Sequence, residues 1–498
     1  MKPRQLAPWL LFVATAIIYL SFPTRVYYWD GIEFAQAIED ASTLNASLVH
    51  PNHLIYNFAG YLFYRLLRAF GFELRAVTAL QIVNSLLSAA CAGVLFAILR
   101  DTLRSLYLSV CLTLLFAFSA TWWKFSTDAN AYIPSVLFVA LSFYLVLPNR
   151  KPRPLLLGVT FFISMAFHQL AVLMFPVLAL GVYLQNGPLT LKRRAVNAVL
   201  FSVIAGTLIV ATYSFLFYRA TGSFDLAKLL SWSSSYSPDA DTNFSWWSNL
   251  QYSLRGQVRL FFGGRFNLLR GLVNPLVVTL IACLILAVLW LIFEALKKFL
   301  SHREVSERRL ETHQKTVLLL SLLWTAVYLA FLFFWLPQNT FYRLFYLPAL
   351  ILLFGLALSA FRNKASKSRA LAAFVIAVAV ANFLFLIYPF SRVEKYPPLA
   401  FALQMNHEWP PGTVIYYGAE NSDEGLLRYF NPSTRWKLLD RNSLEVLDGT
   451  AWLETTAIAQ LASTPEGARW LETHARKETL KELNDGAYEI RFIQVRSR

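Results

Sequence analysis

The sequence predicts an all-α polytopic membrane protein carrying a small C-terminal α/β domain, and three observations predict it. Apolar residues make up 57% of the 498-residue chain and charged residues only 15%, against roughly 25% charge in an average soluble domain. Apolar runs of about 18 residues or more, long enough to cross a bilayer as helix, recur from the N-terminus to residue 390. Beyond that point charge and Pro/Gly punctuation return, as in Pro397-Pro398 and Pro410-Pro411-Gly412. A soluble enzyme is excluded. So is a porin-type barrel, whose strands would alternate in segments of about ten residues.

The predicted spans are 6–23, 77–99, 105–122, 131–147, 154–167, 169–185, 195–218, 272–296, 315–336, 341–360 and 370–390, about 11 transmembrane helices in all. The first run has the basic start of a signal peptide, but no small-residue cleavage site follows it, so it is expected to be retained. With Lys2 and Arg4 inside, the basic loops Arg100/Arg104, Arg150/Lys151/Arg153, Lys192/Arg193/Arg194, 297–315 and Arg362/Lys364/Lys367/Arg369 fall on the same side. That is the positive-inside pattern. It accounts for much of the net charge of +16, which in a soluble chain would suggest nucleic acid; no nucleic-acid partner is expected here. The spans at 154–167 and 169–185 are short for two crossings, so they are read as a tight hairpin whose tip lies near His168-Gln169. Cys91, Cys111 and Cys283 all sit inside apolar spans, which leaves no disulfide framework and no CxxC metal site.

This topology places three larger pieces on the far side: 24–76, 219–271 and the tail. The chain is therefore divided into a membrane domain, 1–390, with outer loops 24–76 and 219–271, and a soluble domain, 391–498. In the tail Thr413–Tyr417 and Tyr488–Val495 read as strands, and 423–430 and 465–482 as helices.

The first outer loop opens with Tyr27-Tyr28-Trp29-Asp30-Gly31-Ile32-Glu33-Phe34. If 31–40 is helical, Asp30 is its N-cap and Glu33 occupies N3, so the two acids face nearly the same way. Such a pair serves equally as a capping box. The three preceding aromatics favour a site, since rings stack on the C–H face of a sugar while carboxylates bind its hydroxyls. Further on, His50-Pro51-Asn52-His53 offers two imidazoles. They suit a divalent metal completed by Asp30 or Glu33, a loop that orients substrate, or plain structural hydrogen bonding.

Other polar residues stand out against the apolar background. Asp128, four residues after Lys124, reads as an acceptor or cation ligand or as a helix cap. His168 is a lone imidazole at the hairpin tip. Arg343, beside Tyr342 at the outer start of a span, suits a lipid phosphate or a snorkelling anchor. Arg255 and Arg259, four apart, form a basic helical face that fits a phosphate or anionic lipid. Trp232, Tyr236, Trp246 and Trp247 fit an acceptor or an interfacial aromatic belt.

The acidic pair after the first span, His50-Pro51 about twenty residues on, and the many-spanning plan resemble the GT-C glycosyltransferase superfamily. The likeness is strongest to protein O-mannosyltransferase-like members with an Asp-Gly/Ser-x-Glu-Phe signature. Thr121-Trp122-Trp123-Lys124 leading to Asp128 and Tyr132, Phe167-His168-Gln169-Leu170, and Tyr342–Pro348 add to it over residues 1–390. The chain departs from the family in reading Asn52-His53-Leu54 where Pro-Pro-Gly often stands, and Asn130-Ala131-Tyr132 where Glu-Val-Tyr often stands.

The resemblance implies an inverting transferase that moves one sugar from a polyprenyl-phosphate donor to an acceptor hydroxyl on a protein, glycan or lipid. It implies catalysis on the non-cytoplasmic face, here the periplasmic side of a bacterial inner membrane. Asp30 is then the general base and Glu33 its partner, in exchangeable roles; His50, His53, Asp128, His168, Arg255, Arg259, Tyr342 and Arg343 would bind substrate or donor. No cofactor is assigned, and a divalent metal is left open. The rivals are a transporter or lipid flippase and a non-catalytic scaffold. A transporter would place ionisable groups within its spans and show repeated halves, whereas here the acids sit in outer loops and no repeat is visible.

Overall fold

A computed structural model describes residues 3–185, 190–235, 244–264, 279, 310–360, 364–405, 409–418, 422–439, 450–483 and 488–496. The chain forms two compact units, one of Met1–Pro23 with Ala37–Pro389 and one of Thr24–Gln36 with Phe390–Arg498. Thr24–Gln36, which sequence continuity assigns to the membrane domain, thus packs with the tail.

Helices follow in chain order as α1 (Pro3–Ser21), α2 (Trp29–Asp40), α3 (Tyr56–Ala69), α4 (Ala76–Leu103), α5 (Leu106–Ala117), α6 (Ala120–Ser126) and α7 (Tyr132–Leu145). Then come α8 (Pro154–Phe167), α9 (Phe175–Leu184), α10 (Leu191–Thr221), α11 (Leu226–Ser234), α12 (Trp246–Phe261), α13 (Thr312–Trp335), α14 (Leu347–Ala360) and α15 (Lys364–Asn382). Among the described residues α4, α10, α13 and the run Arg369–Phe390 are each long and apolar enough to cross a membrane unaided. Shorter apolar helices stand at the other predicted spans, save 272–296, which apart from residue 279 lies outside the described residues.

Several predicted spans are broken, and polar side chains account for the breaks. The span at 105–122 is two helices, α5 and α6, bent by 67°. A bend frees carbonyls that lipid cannot hydrogen-bond. Here the Tyr19 hydroxyl donates to the Ala117 carbonyl at 2.8 Å and Asn382 Nδ2 to the Phe118 carbonyl at 2.8 Å. The span at 169–185 opens as a 3₁₀ segment, Gln169–Met174, before α9, and that at 341–360 opens as Phe341–Phe345 before α14. Tyr328 donates to the Leu170 carbonyl at 3.2 Å and Trp324 to the Phe345 carbonyl at 3.0 Å, so both irregular entries are satisfied from α13.

The basic loops assigned to one side meet one another. Arg104 pairs with Glu311 at 2.8 Å, Arg150 pairs with Asp101, and Gln314 donates to the Thr102 carbonyl at 3.1 Å.

In the second unit α16 (Pro397–Met405) and α17 (Ser422–Phe430) accompany β1 (Val414–Tyr417), β2 (Arg435–Leu438), β3 (Thr450–Glu454), α18 (Thr455–Ala462), α19 (Pro465–His474), β4 (Ala475–Leu483) and β5 (Tyr488–Arg496). The sheet order is β2-β1-β3-β5-β4. β1 runs parallel to β2 and β3, and β5 antiparallel to β3 and β4. Val414, Tyr416, Leu453 and Val495 form a core with Ala457 and Leu461 of α18. The helix expected over 465–482 ends at His474, and β4 takes the rest. Its Lys, Glu and Leu residues favour helix locally, but pairing with β5 along its length overrides that preference.

Helices α8 and α10 approach closely at Gly158, where an added Cβ would stand 2.9 Å from Ile204 Cβ. Gly158→Val is expected to overpack this contact and cost about 1–3 kcal/mol, read as a lower midpoint in thermal unfolding of the detergent-solubilised protein.

Candidate active site

The acidic pair lies on the first turns of α2. The helix begins at Trp29, two residues earlier than the sequence suggests, so Asp30 is within the first turn instead of capping it. The three-residue spacing still sets Asp30 and Glu33 on neighbouring positions of one face, and an acid in the first turn suits the helix dipole. Glu33 is exposed and Asp30 is half-buried. Burial pushes the Asp30 carboxyl up to about 6, the nearby Glu33 charge pushes the same way, and a hydrogen bond with Tyr28 opposes both. Tyr27, Tyr28, Trp29 and Glu33 line a small cleft together with Tyr396 and Arg428 from the tail. A carboxylate that titrates near neutrality beside aromatic rings can take a proton from a hydroxyl.

The histidines gather in the membrane unit. His53 stacks against His50, ring centroids 4.9 Å apart, and meets the His168 ring edge-on at 4.7 Å. His168 in turn packs on Tyr132, Tyr342 and Phe345 at 4.8, 5.7 and 5.3 Å. Backbone bonds from Gln169 N–H to the Asn52 carbonyl (3.1 Å) and from Ile55 N–H to the Ala166 carbonyl (3.2 Å) zip the His-Pro loop to the hairpin tip. His50 Nδ1 accepts from Asn52 N–H and His168 Nδ1 from Leu170 N–H, so in their neutral forms both rings carry the proton on Nε2. Burial lowers His50 to about 4 and lowers His53 as well, where neighbouring imidazoles add to the effect. The cluster therefore offers neutral donors. Among the described residues no three His, Cys, Asp or Glu side chains converge to hold a metal ion.

Asp128 is fully buried and forms an ion pair with Lys124 at 2.5 Å. Its other oxygen accepts from Ala129 N–H at 2.9 Å. Asn84 on α4 donates to the Asp128 and Asn130 carbonyls, both at 2.8 Å, holding the turn between α6 and α7. The arrangement has both structural and charge-carrying parts, since Lys124 retains some exposure.

Arg343 is fully buried. Its Nη1 donates to the Tyr346 hydroxyl at 2.8 Å and its Nη2 to the Pro337 carbonyl at 2.6 Å, while Nε has no hydrogen-bond partner. The guanidinium lies against Gly256 of α12, where a Cβ would stand 2.3 Å from Nε; only glycine admits that approach. Gln257 also donates to the Tyr346 hydroxyl, at 2.6 Å. The other buried charges have complements: Asp128 has Lys124, Glu424 pairs with Arg428, and Glu454 accepts from the Thr456 N–H and hydroxyl. Among the described residues Arg343 makes hydrogen bonds to neutral groups alone, and an unmet N–H in such a place costs about 1–3 kcal/mol.

Arg255 and Arg259 are exposed on α12, while the neighbouring Gly256 faces Arg343. Beside Gln257 opens an apolar groove of about 810 Å³, lined by Leu254, Phe261, Leu329, Phe333, Leu350 and Phe354 among others. Trp246 packs with Phe333 at this groove and Trp232 with Phe217; Tyr236, Arg265 and Arg270 lie outside the described residues. Tyr346 stood out in the sequence only as part of the Tyr342–Pro348 stretch, and Gly256 and Gln257 not at all. Glycine inside an otherwise regular helix was the available signal.

Fold and arrangement together define a many-helix protein, with apolar helices long enough to cross a membrane and a small C-terminal mixed sheet. No protein-family model and no curated protein matches the chain. Among solved structures it is similar to ArnT from Cupriavidus metallidurans bound to undecaprenyl phosphate, with a TM-score of 0.59 at 12% identity over 98% of each chain. The apo state of that ArnT aligns with a TM-score of 0.60 at 11% identity over 97% of each chain.

Lys124→Met leaves the Asp128 charge buried without its cation, which is expected to cost about 3–5 kcal/mol. Lys124→Met with Asp128→Leu should recover much of that loss in the same thermal unfolding measurement.

Proposed function

We propose that this protein is a glycosyltransferase that moves one sugar from a polyprenyl phosphate to an acceptor hydroxyl, with inversion, at the periplasmic face of a bacterial inner membrane. The observation that carries the proposal is the buried Arg343 guanidinium, whose Nε is unmet and which two hydrogen bonds, meeting at the Tyr346 hydroxyl, link to Gln257 at an apolar groove. An uncompensated buried cation is costly, and a phosphate on a prenyl chain supplies its complement, the tail taking the groove. The likeness to a structure that holds undecaprenyl phosphate supports the same ligand class.

In the transfer, the acceptor O–H loses its proton to Asp30 as its oxygen attacks the anomeric carbon from the side opposite the phosphate. The bond to the phosphate oxygen breaks, and the leaving phosphate keeps that electron pair. Arg343 meets this growing negative charge as an always-protonated planar donor. Glu33 binds sugar hydroxyls and, by its own charge, keeps Asp30 basic. Neutral Nε2–H donors of His50 and His168 supply further hydrogen bonds to oxygen without a second positive charge. Acceptor hydroxyls of protein, glycan and lipid all fit this chemistry.

Transfer is tested with purified full-length protein and a panel of undecaprenyl-phosphate hexoses and pentoses, reading release of undecaprenyl phosphate. Asp30→Asn should lower kcat by about 10²–10⁴-fold while undecaprenyl phosphate binding, followed by native mass spectrometry, is retained. Arg343→Gln should weaken that binding about tenfold or more. Full transfer by well-folded Asp30→Asn would overturn the assignment of the base.

The pH dependence has a definite sign. Asp30 works ionised, so the rate should rise through pH about 6 and level off above it. Glu33→Gln removes a like charge that raises Asp30, and should move that rise to lower pH in the same assay.

A further inference from the structure

The tail unit contains a set of contacts that the transfer chemistry does not use. Arg428 Nε, on α17, donates to Gln36 Oε1 at 3.0 Å. Its Nη1 stands 3.7 Å from the buried Glu424 carboxylate one turn earlier, which holds the guanidinium fork in place. The Phe430 ring stacks on Tyr27, with centroids 6.1 Å apart and planes 28° apart. The Trp29 ring lies 3.9 Å from where a Cβ on Gly425 would stand. A backbone bond from Arg25 N–H to the Phe390 carbonyl, 2.6 Å, fastens the near end of the same stretch. Positions 25, 27 and 29 on one side and 36 on the other are thus tied to the tail, and Asp30 and Glu33 stand between them.

The charged member of this set, Arg428, also lines the cleft that Glu33 enters. A bond from a charged donor is stronger than one between neutral groups, and Gln36 is one and a half turns beyond Asp30 on the same helix. A small rotation or fraying at Gln36 is therefore passed along α2 to both acids.

We propose that Arg428 is a positioning residue for the acidic pair: its hydrogen bond to Gln36 lets the tail domain set where Asp30 and Glu33 stand. The catalytic meaning of this clamp rests on the reading of Asp30 and Glu33 as reacting carboxylates. The clamp itself rests on the contacts alone. It makes the C-terminal domain a working part of the site, joined to it by a long-range contact in sequence.

The test uses the full-length protein in detergent, without substrate, so its outcome is separate from that of the transfer assay. Hydrogen–deuterium exchange is followed on peptides covering 25–36, with α4 as an internal reference. Asp30 titration is followed by infrared difference spectroscopy with Asp30→Asn as the blank. Gln36→Leu cuts the clamp while leaving the Arg428 and Glu424 charges in place, so it isolates position from charge. It should raise exchange in 25–36 about tenfold with α4 unchanged, and move the Asp30 titration below its value near 6 as the carboxyl gains water. Arg428→Ala should raise exchange in 25–36 similarly, and the double variant should exchange no faster than either single one. If Arg428→Ala fails to fold, Gln36→Leu alone carries the result. Exchange in 25–36 at the wild-type rate in Gln36→Leu overturns the proposal; so does faster exchange with an unmoved Asp30 titration.

Discussion

Inside an apolar bundle, each backbone group released from a helix needs a partner brought by another part of the chain. The irregular points of the membrane unit are where such partners stand. Asn382 shows this best: its Nδ2 donates to the Phe118 and Phe261 carbonyls, and its Oδ1 accepts from Gly263 N–H. One amide side chain thereby permits the bend between α5 and α6 and the end of α12 together. Asn84 and Gln81 do the same for the turn that carries Asp128, donating to the carbonyls of Asp128, Asn130 and Thr127. The site residues of this unit lie at or beside such satisfied breaks, because only there do polar side chains and backbone reach a common space.

The same accounting applied to charge separates scaffold from site. Arg104 with Glu311, Arg150 with Asp101 and Lys124 with Asp128 each answer one charge with another. Among the described residues Arg343 has only the Tyr346 hydroxyl and the Pro337 carbonyl. Its burial is made possible by Gly256, and among the described residues no carboxylate pairs with it. A cation stored behind a short hydrogen-bonded relay is suited to an anion that arrives along an apolar path.

The acidic segment follows a different logic. Its aromatic residues pack with the tail unit, where Tyr27, Trp29 and Gln36 meet Phe430, Gly425 and Arg428. The placement of Asp30 and Glu33, and with it the chemistry proposed for them, thus depends on a domain encoded several hundred residues later. A mixed sheet with β3 at the junction of parallel and antiparallel pairing holds α17 in the crossover between β1 and β2. Substitutions in that sheet are accordingly able to act on the acids without touching them.

The positions of the apolar helices and the spacing of Asp30 and Glu33 on one helix were legible in the chain because hydropathy and helical period are local properties. The many-spanning helical plan with a small C-terminal α/β domain agrees with the fold shared with ArnT. What the chain alone did not show were the break between α5 and α6, the strand at 475–483, the stacking of His50, His53 and His168, and the membership of residues 24–36 in the tail unit. Each of these depends on a partner far away in sequence: Asn382, β5, the hairpin tip and α17. Local pattern names which residues are polar, apolar or bendable; only tertiary contact decides which carbonyl is caught, which charge is answered and which is left waiting.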